Sequence, residues 1–166
     1  VKVEVISESK NIDFAFYKCI DPDNRNYATV KIGNQIWMAE NLAYLPKVSI
    51  YGRSITEPYY YVYDYTGTDV AAAKDNQNYK DYGVLYNWPA ALSACPPGWH
   101  LPSDDEWTAL TTWLELDGET GAGDEMKATS GWYANGNGTN TSGFSALPGG
   151  DLSHNMMGTS FKGVTH

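Results

Sequence analysis

The stretch Cys95-Pro96-Pro97-Gly98-Trp99-His100-Leu101-Pro102-Ser103-Asp104-Asp105-Glu106-Trp107 constrains this chain more than any other. Two adjacent prolines stop whatever helix precedes them, and Gly98 permits a sharp turn. Ser103 followed three residues later by Glu106 is a capping box: the hydroxyl accepts from the Glu106 amide while the carboxylate reaches back to the Ser103 amide. Asp104 and Asp105 add negative charge at the positive end of the helix dipole. A helix is therefore predicted from Ser103, apolar at Trp107, Leu110 and Leu114 with Trp113 on the flank, and stopping near Gly118. On the other side of the prolines, Pro89 is a good first helical residue, so a second short helix is predicted over Pro89 to Cys95.

The chain has 166 residues, 42% of them hydrophobic, which suits one well-buried domain and is short for two. Tyrosine (13), tryptophan (6), glycine (16) and proline (8) are abundant while charged residues are only 19%, a balance that favours strands, turns and ordered loops over a helical bundle. A net charge of -9 without a basic cluster argues against nucleic acid as a partner. No apolar run is long enough to span a bilayer, and the first residues lack the form of a signal peptide.

Val1-Lys2-Val3-Glu4-Val5 alternates apolar and polar residues, the pattern of a half-buried strand, and residues 1 to 16 are read as an N-terminal strand or linker. After the turn Asp21-Pro22-Asp23-Asn24, the runs Tyr27 to Ile32 and Gln35 to Ala39 flank Gly33-Asn34 and predict a hairpin. Residues 51 to 65 hold six tyrosines, and in an extended segment Tyr59, Tyr61, Tyr63 and Tyr65 share one face opposite Tyr60, Val62 and Asp64. Such a face could stack on a sugar ring; equally, tyrosines fill a loop-rich core with their hydroxyls reaching solvent. Val70 to Lys80 reads as a polar surface loop, and Asn135 to Thr141 as a turn-forming one anchored by Trp132.

Cys19 and Cys95 lack the spacing of a metal or redox pair and are read as a disulfide or as buried thiols. A bond between them would close a loop of about 76 residues, worth about 4 kcal/mol on the chain-entropy account. His100 has no readable nucleophile beside it and is expected to bond to backbone. Asp124, Glu125, Asn135, Asn137, Asn140 and Asp151 offer hard oxygens that suit calcium, but without EF-hand spacing they read more simply as solvated turn residues. No cofactor is called for, calcium being the one metal weighed.

Four segments together resemble the Fibrobacter succinogenes major paralogous domain family, found in exported and surface proteins of Bacteroidetes and Fibrobacter. They are Asp21 to Leu42, Tyr82 to Trp88, Ala94 to Trp107 and Gly143 to Gly150. Leu101 to Trp107 is also similar to the Leu-Pro-Ser/Thr-x-x-Glu-Trp segment of formylglycine-generating enzyme relatives. These resemblances imply an α+β, C-type lectin-like fold over residues 17 to 166, with two helices, a small twisted antiparallel sheet and long ordered loops. Oxidising members of that enzyme group depend on cysteines late in their domain, and this chain has none after Cys95. The resemblance therefore implies the fold without the catalysis.

Family members continue past the region of Gly158 to Gly163 with closing strands that return beside the N-terminal strand. Here those strands are expected to be missing, or the sheet to be completed by residues 1 to 16 or by a neighbouring subunit. The function implied is a non-catalytic, extracellular or cell-surface module for adhesion or for binding glycan or protein, with Tyr59, Tyr61, Trp132, Asn135 and Asn137 as candidate contact residues. A structural subunit of a surface filament or pilus, completed by strand exchange, is the alternative.

Overall fold

The computed structural model describes residues 17–50, 52, 54–116 and 121–152. The expectations for Val1 to Val5, for the stop at Gly118 and for the closing strands lie outside these residues. In chain order the elements are β1 (Thr29–Ile32), β2 (Gln35–Met38), β3 (Tyr60–Tyr61), α1 (Val70–Asp75), α2 (Gln77–Tyr82), β4 (Leu85–Tyr86), α3 (Trp88–Ala94), α4 (Asp104–Glu115) and α5 (Ala122–Met126), with a short 3-10 turn at Tyr133–Asn135. The α+β class is as expected. The described residues hold five helices where two were expected, and two antiparallel two-stranded sheets, β1-β2 and β3-β4, where one was expected.

The hairpin forms where the Gly33-Asn34 turn predicts it, pairing Val30 with Trp37 and Ile32 with Gln35. Gly33 has φ +58°, a conformation that a side chain disfavours, and a Cβ there would lie 2.8 Å from the Trp113 ring. Close packing of the hairpin tip on α4 therefore needs glycine twice over. One face of the hairpin carries Val30, Ile32 and Trp37, which form a buried cluster with Leu110 and Leu114 of α4 and with Ala122. Helix α4 is capped as the sequence predicts, with Ser103 Oγ accepting from Glu106 N and the Glu106 side chain returning to the Ser103 amide.

A second cluster contains Cys19, Tyr27, Leu45, Tyr60, Val62, Ala73, Tyr79, Val84, Ala90 and Ala94. The segment read as a loop at Val70 to Lys80 is instead two short helices that contribute Ala73 and Tyr79 to this cluster. The overlooked signals are two N-caps. Asp69 accepts from Ala72 N at 2.7 Å, and Asn76 both ends α1 and accepts from Asn78 N at 2.8 Å to start α2. Side-chain capping turns a polar sequence into helix by supplying acceptors for the amides that a first helical turn leaves unpaired. Tyr60 and Val62 are buried and Tyr59 and Tyr61 are half-buried, so the period-two alternation is real although β3 itself spans two residues.

The chain from Cys95 to Pro102 passes from α3, which packs in the second cluster, to α4, which packs in the first. It thus joins two cores. Replacing Gly33 with Ala should lower stability by roughly 1–3 kcal/mol, because strain at positive φ adds to the contact with Trp113. An unchanged denaturant midpoint for Gly33→Ala would contradict this description of the hairpin tip.

Candidate functional site

A groove of about 910 Å³ opens beside β2. One wall is the chain from Asn34 to Leu42, the other is Cys95 to Pro102, and Phe144 to Ala146 closes one side. Tyr17 and Lys18 also line it. Its floor is aromatic: the rings of Trp37 and Trp107 lie 4.7 Å apart, and Phe144 sits 5.8 Å from Trp37 and 6.0 Å from Trp107. Trp37 is buried, whereas Trp107 is 38% and Leu101 37% exposed, so the groove presents apolar surface to solvent. An apolar concavity of this kind marks an interaction site more often than idle surface.

The β2 strand that forms one wall pairs on one edge only among the described residues. In an antiparallel hairpin, residues alternate between pairs that exchange backbone hydrogen bonds and pairs that do not. Ala39 N donates to Ala28 O at 2.9 Å, which fixes the bonded pairs as Ala28 with Ala39, Val30 with Trp37 and Ile32 with Gln35. The amide and carbonyl groups of Ile36 and Met38 therefore point away from β1. Both residues line the groove, and among the described residues no backbone group pairs with their outward edge. Two donors and two acceptors at strand spacing thus face an apolar cavity.

On the opposite wall, Glu106 holds several groups at once. Its Oε2 accepts from Ser103 N at 2.8 Å and from Ser103 Oγ at 2.9 Å, while His100 Nε2 donates to Oε1 at 2.8 Å. His100 thus bonds to a side chain where a backbone partner was expected, and it remains 70% exposed. The Ser103 amide, then His100 and the Ser103 hydroxyl, hold the Glu106 carboxyl down to about 2. A carboxylate so engaged stays ionised and is poorly suited to general acid work.

The thiols are no better placed for chemistry. Burial pushes Cys19 up to about 11, with Asp21 and Cys95 adding to the effect, and burial raises Cys95 as well. Of the two sequence alternatives, a disulfide or buried thiols, the structure has free thiols, Cys19 buried and Cys95 half-buried, with Cys95 Sγ donating to Ala91 O at 3.8 Å. Protonated, shielded thiols are weak nucleophiles and exchange slowly. One floor donor is unmatched: Trp37 Nε1–H is buried without an acceptor, its ring set against two other aromatic rings.

None of the five contact residues singled out from sequence lines this groove. Tyr59 and Tyr61 meet edge to face, with centroids 6.1 Å apart and planes at 78°, so they do not form one flat stacking surface. The Tyr61 hydroxyl donates to Gly52 O at 2.8 Å, and Tyr59 N donates to Asn87 Oδ1 at 2.8 Å. Trp132 and Asn137 are brought together, the Trp132 amide donating to Asn137 Oδ1 at 3.0 Å, while the indole donates to Ala146 O at 3.1 Å. Asn135 is exposed at φ +63°. Of the oxygens weighed for calcium, Asn140 Oδ1 accepts from Ser145 N at 2.8 Å and Asp124 pairs with Lys127 at 3.1 Å. Among the described residues, no three His, Cys, Asp or Glu side chains converge on a metal position.

Against this geometry, one family model matches the chain over residues 30–165, described as the Fibrobacter succinogenes major domain. The chain belongs to that family. The match takes in the hairpin, the capping stretch and the Phe144 segment, and so every wall of the groove except Tyr17 and Lys18. Comparison with curated proteins and with solved structures returns no match. No helix of the described residues is long and apolar enough to cross a membrane. For this Fibrobacter succinogenes major domain, the groove was missed because the Cys95 to Trp107 stretch already had a structural explanation at every residue. The available signal was the density of large apolar side chains at Trp99, Leu101 and Trp107 within it, facing a second set at Ile36 and Met38.

The Glu106 arrangement makes a directional prediction. Its folded value of about 2 lies below the ordinary 4.5, so its contribution to stability is complete above about pH 4.5 and is lost as pH falls through 2. The melting temperature of the parent should therefore fall more steeply than that of Glu106→Gln between pH 4.5 and 2, and parallel curves would contradict the assignment. Ser103→Ala should cost about 1 kcal/mol at neutral pH through the lost cap.

Proposed function

We propose that this domain is a non-catalytic binding module of exported, cell-surface proteins, and that it takes an extended polypeptide strand into the groove beside β2. The observation that carries this reading is the outer edge of β2 at Ile36 and Met38, which no described residue pairs with, lying over the aromatic floor of Trp37, Trp107 and Phe144. Strand addition obtains affinity from main-chain hydrogen bonds and specificity from pockets for alternate side chains, and this groove offers both. Export is the part of the proposal supported by the family resemblance alone, which implies surface proteins and a C-type lectin-like framework. The absence of catalysis is supported by the engaged carboxylate of Glu106 and by thiols that burial keeps protonated.

A protein ligand is favoured over a glycan because the tyrosine pair is neither flat nor part of the groove. The second reading, a filament subunit completed by strand exchange, draws on the same edge, with the incoming strand coming from another copy. Adhesion is then the outcome in either case, since each joins a surface protein to a second chain.

Display selection from a library of extended peptides on the purified domain tests this directly, with a glycan array run in parallel. Peptides with apolar or aromatic residues at alternate positions should be enriched. Ile36→Pro should abolish their binding, because it deletes an outward donor that the hairpin does not use, and Trp107→Ala should weaken binding about tenfold or more through the lost aromatic contact. Binding of glycans that survives both substitutions and is lost in Tyr61→Ala or Trp132→Ala would overturn the proposal.

A further inference from the structure

The loop from Ala134 to Thr139 holds both Asn-Gly steps of the chain, Asn135-Gly136 and Asn137-Gly138. At such a step the backbone nitrogen that follows the asparagine can close on the side-chain amide carbon, because glycine has no side chain to hinder the approach. From sequence alone the two steps are equivalent. In the folded chain they are not.

At Asn137 the two groups that would react are held apart. Its Oδ1 accepts from Trp132 N at 3.0 Å, and Gly138 N donates to Ala128 O at 3.0 Å. The next amide, Thr139 N, donates to Asp124 O at 2.8 Å, and a Cβ at Gly138 would run into the backbone carbonyls of Asp124 and Lys127. Gly138 is thus pinned against the end of α5, with no room to turn its nitrogen toward Asn137.

At Asn135 the restraints are few. The residue is exposed, and among the described residues no group hydrogen-bonds to its side chain. The Gly136 nitrogen is held by a single bond, donated to Tyr133 O at 2.9 Å, across a turn in which Ala134 has φ +52° and Asn135 φ +63°. Asparagine tolerates this left-handed conformation, whereas alanine strains it, so Ala134 opposes the very turn that the bond closes. Tyr133 and Ala134 are exposed as well, so opening the turn uncovers no core residue.

We propose that Asn135 is a site of spontaneous deamidation in the folded domain, and that the fold shields Asn137 from the same reaction. When the turn opens, the Gly136 amide gives its proton to solvent base, its nitrogen bonds to Asn135 Cγ, and the Cγ–Nδ2 bond breaks with release of ammonia. Water then opens the resulting succinimide at one carbonyl or the other, leaving aspartate or isoaspartate, and no oxidant or reductant takes part. The first product adds a negative charge to a chain already at -9; the second inserts a methylene into the main chain and ends the bond from Gly136 to Tyr133. Asn135 does not line the groove, so this site is independent of the strand-binding reading.

The test holds the full chain, folded and in denaturant, in mildly alkaline buffer and follows both positions by peptide mapping with isoaspartate labelling. In the folded chain Asn135 should convert about tenfold or more faster than Asn137, while in denaturant the two rates should come together. Ala134→Gly should slow conversion of Asn135 in the folded chain by about fivefold or more, because glycine takes a positive φ without strain and keeps the turn closed. Equal rates at the two positions of the folded chain would overturn the proposal, as would an Asn135 that stays intact while the denatured chain converts. So would faster conversion in Ala134→Gly, which would assign the rate to loop flexibility in place of a strained turn.

Discussion

The contact that the rest of this domain depends on is the seating of the hairpin on α4. Trp37 lies on Trp107, Gln35 Nε2 donates to Glu106 O at 3.0 Å, and the Gly33 turn packs against Trp113. These meet Val30 and Ile32 from the strand side and Leu110 and Leu114 from the helix side, all buried. Each fully buried apolar side chain of this size stabilises by about 1.5–3 kcal/mol, so four of them outweigh any single polar contact at the interface. Because one face of the hairpin is committed to α4 and one edge to β1, the geometry leaves the other edge of β2 facing the groove. The proposed binding surface is thus a consequence of how the core is closed.

Around that core the chain is held largely by polar side chains acting on backbone. The Asp21 carboxylate accepts from the amides of Asp23 and Arg25 and from the Tyr27 hydroxyl, which itself accepts from Ala43 N at 3.0 Å. Tyr79 and Tyr86 donate to the carbonyls of Ala43 and Tyr44, each at 2.9 Å. Three tyrosines therefore satisfy a buried stretch that belongs to no helix or strand, where unpaired backbone groups would each cost about 1–3 kcal/mol. Asn87 does the same for the tyrosine-rich segment: it caps α3, accepts from Tyr59 N and donates to the carbonyls of Ser54 and Glu57. Tyr27, Tyr79 and Tyr86 thus have scaffolding roles that their hydroxyls fill.

What could be read from the sequence was whatever depends on a few consecutive residues. The capping box at Ser103 and Glu106, the hairpin around Gly33 and the alternation at Tyr60 and Val62 are local patterns, and all three are present. Helices α1 and α2 escaped because each is six residues long, too short to show a periodic face, and only the caps Asp69 and Asn76 announce them. The groove escaped for a different reason. Its walls come from residues 17–18, 34–42, 95–107 and 144–146, and nothing within one of these segments tells that the others lie opposite. The direction of the Ile36 and Met38 amides follows from the parity of a two-residue hairpin; that no described residue pairs with them is a fact of tertiary structure.

The central claim is that this Fibrobacter succinogenes major domain binds along the edge of β2. Amide chemical-shift mapping during titration with a peptide taken from the selection is the most direct test. The claim predicts that shifts concentrate at Ile36 to Met38, Trp99 to Leu101, Trp107 and Phe144. Shifts confined to Tyr59 to Tyr61 or to Trp132 to Asn137, with β2 unmoved, would contradict it.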